Sequence, residues 1–436
     1  MSSTENRIFD VVVIGGGPAG MGAALAAREA GASVALLERN EHLGGILRQC
    51  IHPGFGLTHF KQELTGPEYA QRFIDEVKRT DIAVFLNAMV LDIAGEPDCA
   101  ACENAGCCGR KTVTAMSADG MLQLSAGAVV LAMGCRERTR SEIKIPGSRP
   151  AGVFTAGLAQ RYLNIENLLP GHRFVILGSG DIGLIMARRL ALEGLEVEGV
   201  YELQPYANGL HRNVRNCLED FGIPLHLSTT VTRVIGRDRV EAVEVSRVDE
   251  RLSPIPGTER TIPCDALLLS VGLIPENELS VAAGVELDPR TRGARVDQDL
   301  MTSVPGIFSC GNVLHVHDLA DNVTAEAERA GAAAAAWALR EEEPAGALDL
   351  AIAPAGLANY CVPGRITELK PARLFFRVRR PVELAQLTVR SGDEVIYQRK
   401  PRAYKPSTME MVALSKAVLA KASGPLTLSI DPVEEA

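Results

Sequence analysis

Residues 9–38 read FDVVVIGGGPAGMGAALAAREAGASVALLE. Phe9 to Ile14 is a short β-branched run, the composition of a parallel strand buried on both faces. It enters Gly15-Gly16-Gly17-Pro18-Ala19-Gly20 and emerges as a helix-like stretch that Gly31 can close. A second strand, Ser33 to Leu37, ends at Glu38 and completes a βαβ unit. A glycine loop between strand and helix suits a pyrophosphate, because no Cβ obstructs the backbone's turn and the open helix amides point at the anion. Gly15 makes the turn, Gly17 the close approach and Gly20 the packing of helix on strand. Glu38, eighteen residues after Gly20, is placed to accept hydrogen bonds from an adenosine ribose.

The same pattern returns at residues 173–202, RFVILGSGDIGLIMARRLALEGLEVEGVYE. The loop is Gly178-Ser179-Gly180-Asp181-Ile182-Gly183, Gly194 closes the helix, and Glu202 follows Gly183 by nineteen residues. Two such units predict two dinucleotide sites. A carboxylate at Glu202 accepts a free ribose and repels a 2′-phosphate, which favours NAD(H) over NADP(H); His211, Arg212 and Arg215 lie close enough in sequence to weaken that preference.

Around these units, Ala126 to Gly134 and Asp265 to Gly272 each read as an apolar strand delivered into glycine, and so does Thr302 to Asn312. Asp321 or Asn322 can cap the alanine-rich helix that follows. After the linker-like EEEPAGALDL, alternating segments such as RLFFRV and LAQLTV predict short antiparallel strands, with one helix expected at Met409 to Ala422. The domains are expected at 1–150 with 285–345, at 151–284, and at 350–436.

The chain of 436 residues is too long for one ordinary domain. A net charge of −9 with dispersed Lys and Arg argues against nucleic acid and anionic membranes as partners. The polar MSSTENRIFD lacks a signal-peptide core, and no apolar run reaches bilayer length, so a cytoplasmic location is expected. In that compartment the ten cysteines read as thiols, ligands or redox groups instead of disulfides.

As an ordered set, Gly15 to Gly20 with Glu38 and Gly44-Gly45, Ala132-Met133-Gly134, Gly178 to Gly183, Gly272-Leu273-Ile274-Pro275, and Pro305-Gly306-Ile307-Phe308 leading to Gly311-Asn312 resemble the two-dinucleotide-fold flavoproteins of the pyridine nucleotide-disulfide oxidoreductase superfamily. Within it, LGGILRQCIHPGFGL, AMGCRER and ILGSGDIGLIMARRL are similar to subunits found beside glycerol-3-phosphate dehydrogenase-like flavoproteins, and more distantly to subunits of hydroxyproline, opine and cyanide-forming dehydrogenases. The resemblance implies an α/β fold of two Rossmann-like domains, the second inserted in the first, with a small, mostly β C-terminal domain. It implies FAD at Gly15, Gly17, Pro18, Ala19, Gly20, Glu38, Arg39, Gly45, Ala132, Gly134, Gly311 and Asn312. The nicotinamide nucleotide falls to Gly178, Gly180, Asp181, Ile182, Gly183, Glu202 and Gly272. It further implies an oligomer passing electrons between a partner dehydrogenase flavoprotein, a small cysteine-rich carrier and a nicotinamide pool. Where that superfamily usually has an aspartate after the Gly311 glycine, this chain has Asn312, which can hydrogen-bond but carries no charge.

Three further groups carry alternatives. Cys50 stands alone where disulfide reductases have a cysteine pair, so a dithiol mechanism is unsupported. It is either a redox thiol or flavin charge-transfer partner, which needs a lowered pKa, or a small packed residue; the first option would make the chain a self-sufficient reductase of a peroxide, quinone or disulfide. Cys99, Cys102, Cys107 and Cys108 supply enough thiolates for zinc or an iron-sulfur cluster, but four within ten residues crowd either, and a cysteine-rich hairpin insert is the alternative. His52, His59, His315 and His317 are candidates for proton handling, or are structural. Cys135 reads as packing and Arg136 to Arg140 as a solvated loop. A reading outside enzymology, a flavin-binding assembly or sensor protein, leaves the second glycine loop without a purpose.

Overall fold

The strand Arg7–Ile14 forms the middle of the first sheet because Val11, Val12 and Val13 have apolar neighbours on both faces and are wholly buried. The computed structural model describes residues 7–95, 109–340 and 348–433. Within them the chain divides into two units, one of Met1–Arg48, Pro53–Cys135 and Pro275–Ala436, the other of Gln49–His52 and Arg136–Ile274.

In the first unit, Arg7–Ile14 pairs in parallel with Val34–Leu37 on one side and Gly120–Leu131 on the other. Ala83–Phe85 extends the sheet beyond Val34–Leu37. Lys111–Ser117 and Met89–Gly95 add an antiparallel extension beyond the first half of Gly120–Leu131, whose last three residues pair in parallel with Ile307–Ser309. The helix Pro18–Glu29 crosses between the first two strands and packs on the long helix Ala320–Ala338. Glycines let these helices approach closely: a Cβ on Gly331 would lie 2.0 Å from the Ala23 carbonyl oxygen.

The second unit repeats the plan as a five-stranded parallel sheet, ordered Val153–Thr155, Ala266–Leu269, Arg173–Leu177, Glu196–Tyr201, Leu225–His226. A three-stranded antiparallel sheet of Thr229–Gly236, Val240–Arg247 and Arg260–Pro263 lies beside it in sequence. This is the α/β class expected, with the second Rossmann-like sheet inserted in the sequence of the first. The C-terminal region is strand-rich, five strands in one sheet and three in another around Leu374, Phe376, Leu387 and Leu428.

Several local expectations change. Met409 to Ala422 is not one helix: Glu410–Leu414 is a strand paired with Ala372–Val378, and only Lys416–Leu419 turns helically. Val412 and Leu414 are buried while Met411 and Ala413 face out, a period of two that overrides helix propensity. The segment after Gly45 is a short 3₁₀ turn, Gly45–Gln49. Neither Asp321 nor Asn322 caps the long helix, which begins at Ala320 after Leu319 without a side-chain cap. Asp321 instead accepts from the amides of Gly56 and His59, at 3.1 and 2.9 Å, and so fastens that loop to the helix.

Candidate functional site

The first glycine loop is built by the sheet around it. The Gly15 amide donates to the Leu37 carbonyl at 2.8 Å, and with φ at +110° a Cβ there would meet the Ala132 carbonyl oxygen at 2.5 Å. A Cβ on Gly20 would fall 1.6 Å from the Gly15 carbonyl oxygen, so the helix can enter at this angle only without one. The helix starts after Gly17 with Pro18 in its first turn and no side-chain cap, whereas the Gly66–Lys78 helix has a reciprocal Thr65 and Glu68 capping box. An uncapped first turn leaves donors for an external anion.

Glu38 is buried at the end of the second strand. It accepts from the Gly16 amide at 2.7 Å on one oxygen, and from the Asn40 amide and side chain at 2.8 and 2.9 Å on the other. A carboxylate has about four acceptor positions, so one remains for a ribose hydroxyl. Gly44 donates to the Gly16 carbonyl at 2.8 Å, and Gly45 faces Gly17 closely. Arg39 is exposed.

The second loop is made the same way. Gly178, at φ +94°, donates to the Tyr201 carbonyl at 2.7 Å, and its missing Cβ would meet the Ser270 carbonyl oxygen at 2.1 Å. Buried Glu202 accepts from the Ser179 amide and hydroxyl at 2.9 and 2.6 Å, and from the Gln204 amide at 2.9 Å. Ser270 takes the Gly183 amide at 3.0 Å. Asp181 turns away to the Leu210 amide and the Asn213 side chain at 2.8 and 2.7 Å, tying the helix His211–Cys217 to the loop. Sequence reasoning missed Ser179 and Ser270, whose positions become meaningful only when the strand end at Ser270 is brought beneath the loop.

Gly311 and Asn312 join the first loop, since a Cβ on Gly311 would lie 2.9 Å from that of Ala19. The Gly311 amide donates to Glu326 at 2.8 Å, and Asn312 accepts from the His317 amide at 3.0 Å. His315 and His317 each place a ring nitrogen on Glu326, at 2.7 and 3.1 Å, and all three are buried. The imidazoles hold the Glu326 carboxyl well below its usual range despite its burial, while burial lowers His315 toward the neutral form. The two histidines thus contact the carboxylate that takes the Gly311 amide. Glu326 was not visible in the sequence, because nothing in HVHDLADNVTAE shows that the turn folds back onto the helix.

Cys50 is part-buried; desolvation pushes its thiol up to about 12, and its sulfur lies 3.7 Å from the Gln160 side-chain oxygen. Arg136 to Arg140 is not a solvated loop. Glu137 accepts the Gly157 amide at 2.9 Å, with burial raising its pKa, and Arg140 donates to the carbonyls of Ile145, Pro146 and Ser148. His52 is part-buried in the second unit and His59 lies 3.8 Å from Glu328 in the first. Cys99, Cys102, Cys107 and Cys108 lie outside the described residues. No helix among the described residues is long and apolar enough to cross a membrane.

Residues 9–334 match the family described as pyridine nucleotide-disulphide oxidoreductase. An opine oxidase subunit from Agrobacterium tumefaciens is 28% identical over 70% of this chain and 61% of its own length. Hydrogen cyanide synthase subunit HcnB of Pseudomonas protegens is 27% identical over 63% of this chain and 59% of its own. The chain thus spans about three-fifths of these relatives. In fold it is similar to thioredoxin reductase of T. acidophilum, with a TM-score of 0.60 at 23% identity over 76% of this chain and 99% of that one. L-proline dehydrogenase from P. horikoshii gives 0.52 at 20% identity, over 76% of this chain and 56% of that one.

Proposed function

The chain belongs to the pyridine nucleotide-disulphide oxidoreductase family, and from that premise we propose that it is an FAD-dependent oxidoreductase exchanging hydride between NAD(H) and FAD. The observation that carries this reading is the pair of matched glycine frames, each with a buried carboxylate that keeps one acceptor position open. Residues 1–150 with 285–345 would hold FAD and 151–284 the nicotinamide nucleotide, with 350–436 as an appended domain for assembly.

FAD, when bound, supplies a ring that accepts a hydride and releases electrons in pairs or singly. The protein's own contribution is orientation and electrostatics. The loop of Gly15, Gly17, Ala19 and Gly20 would take the pyrophosphate on the uncapped first-turn amides of its helix, Gly15 making the turn with its own amide on Leu37 and Pro18 fixing the helix entry; Glu38 would take the ribose, with Gly45, Ala132 and Gly134 bordering the loop. Asn312 and the Gly311 turn, steadied by Glu326, would hold the ribityl side. The loop of Gly178, Gly180, Ile182 and Gly183 would repeat the cradle for NAD(H), with Gly272 following the neighbouring strand, Asp181 anchoring the loop to Leu210 and Asn213 and Glu202 disfavouring a 2′-phosphate.

The other half-reaction belongs to a partner dehydrogenase in a multi-component system, directly or through a small cysteine-rich carrier. Support comes from the relatives named as subunits of opine oxidase and hydrogen cyanide synthase. The raised pKa of the part-buried Cys50 thiol gives no support to a self-sufficient reductase.

The test is an anaerobic titration of the flavin-loaded protein with NADH and, separately, NADPH, following flavin absorbance. Bleaching by NADH at lower concentration than NADPH is expected. No bleaching by either nucleotide would overturn the proposal.

A further inference from the structure

Beyond the nucleotide frames, one cavity of about 140 Å³ lies in the first unit, between the helix Ala320–Ala338 and the strands Ala372–Val378 and Glu410–Leu414. Its wall is divided by chemistry. Asn322, Arg329 and Arg373 bring polar groups, Ala325, Phe375, Met409 and Met411 bring apolar ones, and the Glu326 carboxylate completes the lining.

Arg329 is the unusual member. Its Nε and Nη2 atoms are buried and donate to nothing among the described residues. These two atoms form one edge of the guanidinium, the fork that matches the two oxygens of a carboxylate. Arg377, nearby on the same strand as Arg373, shows how this chain satisfies an arginine when the partner is internal: it is bonded to Asp318 and to the carbonyls of Pro406 and Val316. The acids that face Arg329 are already engaged. Glu326 serves Gly311, His315 and His317, and Asp299 serves Lys370 and the Gln298 side chain. Arg373 adds a second positive charge to the cavity with no ion pair of its own among the described residues, and burial lowers the Arg329 pKa, the already engaged Glu326 carboxylate opposing that shift and Arg373 adding to it. An orphaned bidentate edge beside a second guanidinium is costly unless an anion joins them.

We propose that this cavity binds a small organic acid, its carboxylate on the Nε and Nη2 edge of Arg329 with Arg373 and Asn322 beside it, and its hydrocarbon part against Phe375, Met409 and Met411. The apolar half of the wall selects against inorganic phosphate, which would need donors on every side.

Isothermal titration of the flavin-loaded full chain with acetate, propionate, butyrate and valerate, each paired with its neutral amide and run against inorganic phosphate, tests the site without reference to NADH. At least one carboxylate should bind about tenfold or more tighter than its amide. Arg329→Lys keeps a charge but removes the fork, and exposed Arg373→Met removes the second cation with little risk to folding; each should weaken that carboxylate by about tenfold. The proposal is overturned if every acid matches its amide, if neither variant changes the affinity, or if phosphate binds more tightly than all four acids.

Discussion

The two glycine loops share a frame and differ in what surrounds it. In both, a strand ends in a glycine of positive φ whose amide bonds the next strand, Gly15 to Leu37 and Gly178 to Tyr201. In both, a neighbouring strand end lies where a Cβ would go, and a buried glutamate accepts three hydrogen bonds. The first loop is closed on itself by backbone, Gly20 against the Gly15 carbonyl and Gly45 against Gly17. The second is dressed with side chains that can move: Ser270 under Gly183, Ser179 on Glu202, Asp181 on Asn213. Backbone closure suits a cofactor that stays, and side-chain closure one that exchanges.

Substitution at matched positions should break this symmetry most sharply. Gly20→Ala places a methyl where only carbonyl stands, and nothing nearby can rotate away. We expect a loss of about 3 kcal/mol and a protein purified without flavin. Gly183→Ala meets the Ser270 Cβ at 2.6 Å, its hydroxyl at 2.9 Å and the Gly178 carbonyl oxygen at 3.0 Å, a clash about 1 Å shallower than the one at Gly20, so it should cost nearer about 1 kcal/mol and keep its yellow colour. Thermal melts and flavin content read both; equal losses would remove the distinction between the loops.

The matched acids come next. Glu38→Gln leaves a neutral group facing the Gly16 and Asn40 amides and the ribose, and should weaken FAD by about 2 kcal/mol, or roughly thirtyfold in Kd. Glu202→Gln should weaken NADH less, by about 1 kcal/mol, and narrow the NADH to NADPH ratio by roughly tenfold as repulsion of a 2′-phosphate is lost. If the ratio stays fixed, Glu202 does not set it, and the exposed Arg212 and Arg215 become the residues to vary.

What could be read in the sequence was the frame. Glycine spacing, the strand run before each loop and the acid after it are local, so Gly15 to Gly20 with Glu38 and Gly178 to Gly183 with Glu202 were legible. The dressing was not, because Ser270 and Glu326 reach their loops from distant segments. Asp321 was misjudged for a related reason: as a short acid near a helix start it fits a cap, yet the fold gives it the amides of Gly56 and His59. At Met409 to Ala422, helix-forming composition concealed an alternation that the neighbouring strand decided.

Acid should separate the two loops as well. The amide of Gly311, beside the first loop, rests on Glu326 and through it on two histidines, while that of Gly183 rests on a hydroxyl that does not titrate in this range. His315 has a pKa lowered from 6.5 in the folded chain, so its stabilising neutral state is disfavoured as pH falls below 6.5 and the unfolded chain takes up the proton. Glu326 is depressed from 4.5, so its contribution is present above 4.5 and disappears as pH falls further, through its folded value. Flavin retention should therefore fall with acid from about pH 6.5 downward. His315→Gln, which keeps a donor but cannot titrate, should flatten the change in melting temperature between pH 7 and pH 5. An unchanged slope would place the acid sensitivity elsewhere.

The smallest expected effect concerns Cys50, which the compact units place with the second sheet and not the first. A thiol held near 12 by burial is protonated at neutral pH, and nucleophilic or charge-transfer chemistry at sulfur requires the thiolate. Its part-buried surroundings also mean that a hydroxyl would fit in volume but be only partly solvated. Cys50→Ser should then cost about 1 kcal/mol or less of stability and leave the rate and extent of flavin bleaching by NADH unchanged. Bleaching that survives while turnover with a peroxide, quinone or disulfide disappears would restore Cys50 as a redox group and would require that the second unit expose and ionise this thiol during the reaction.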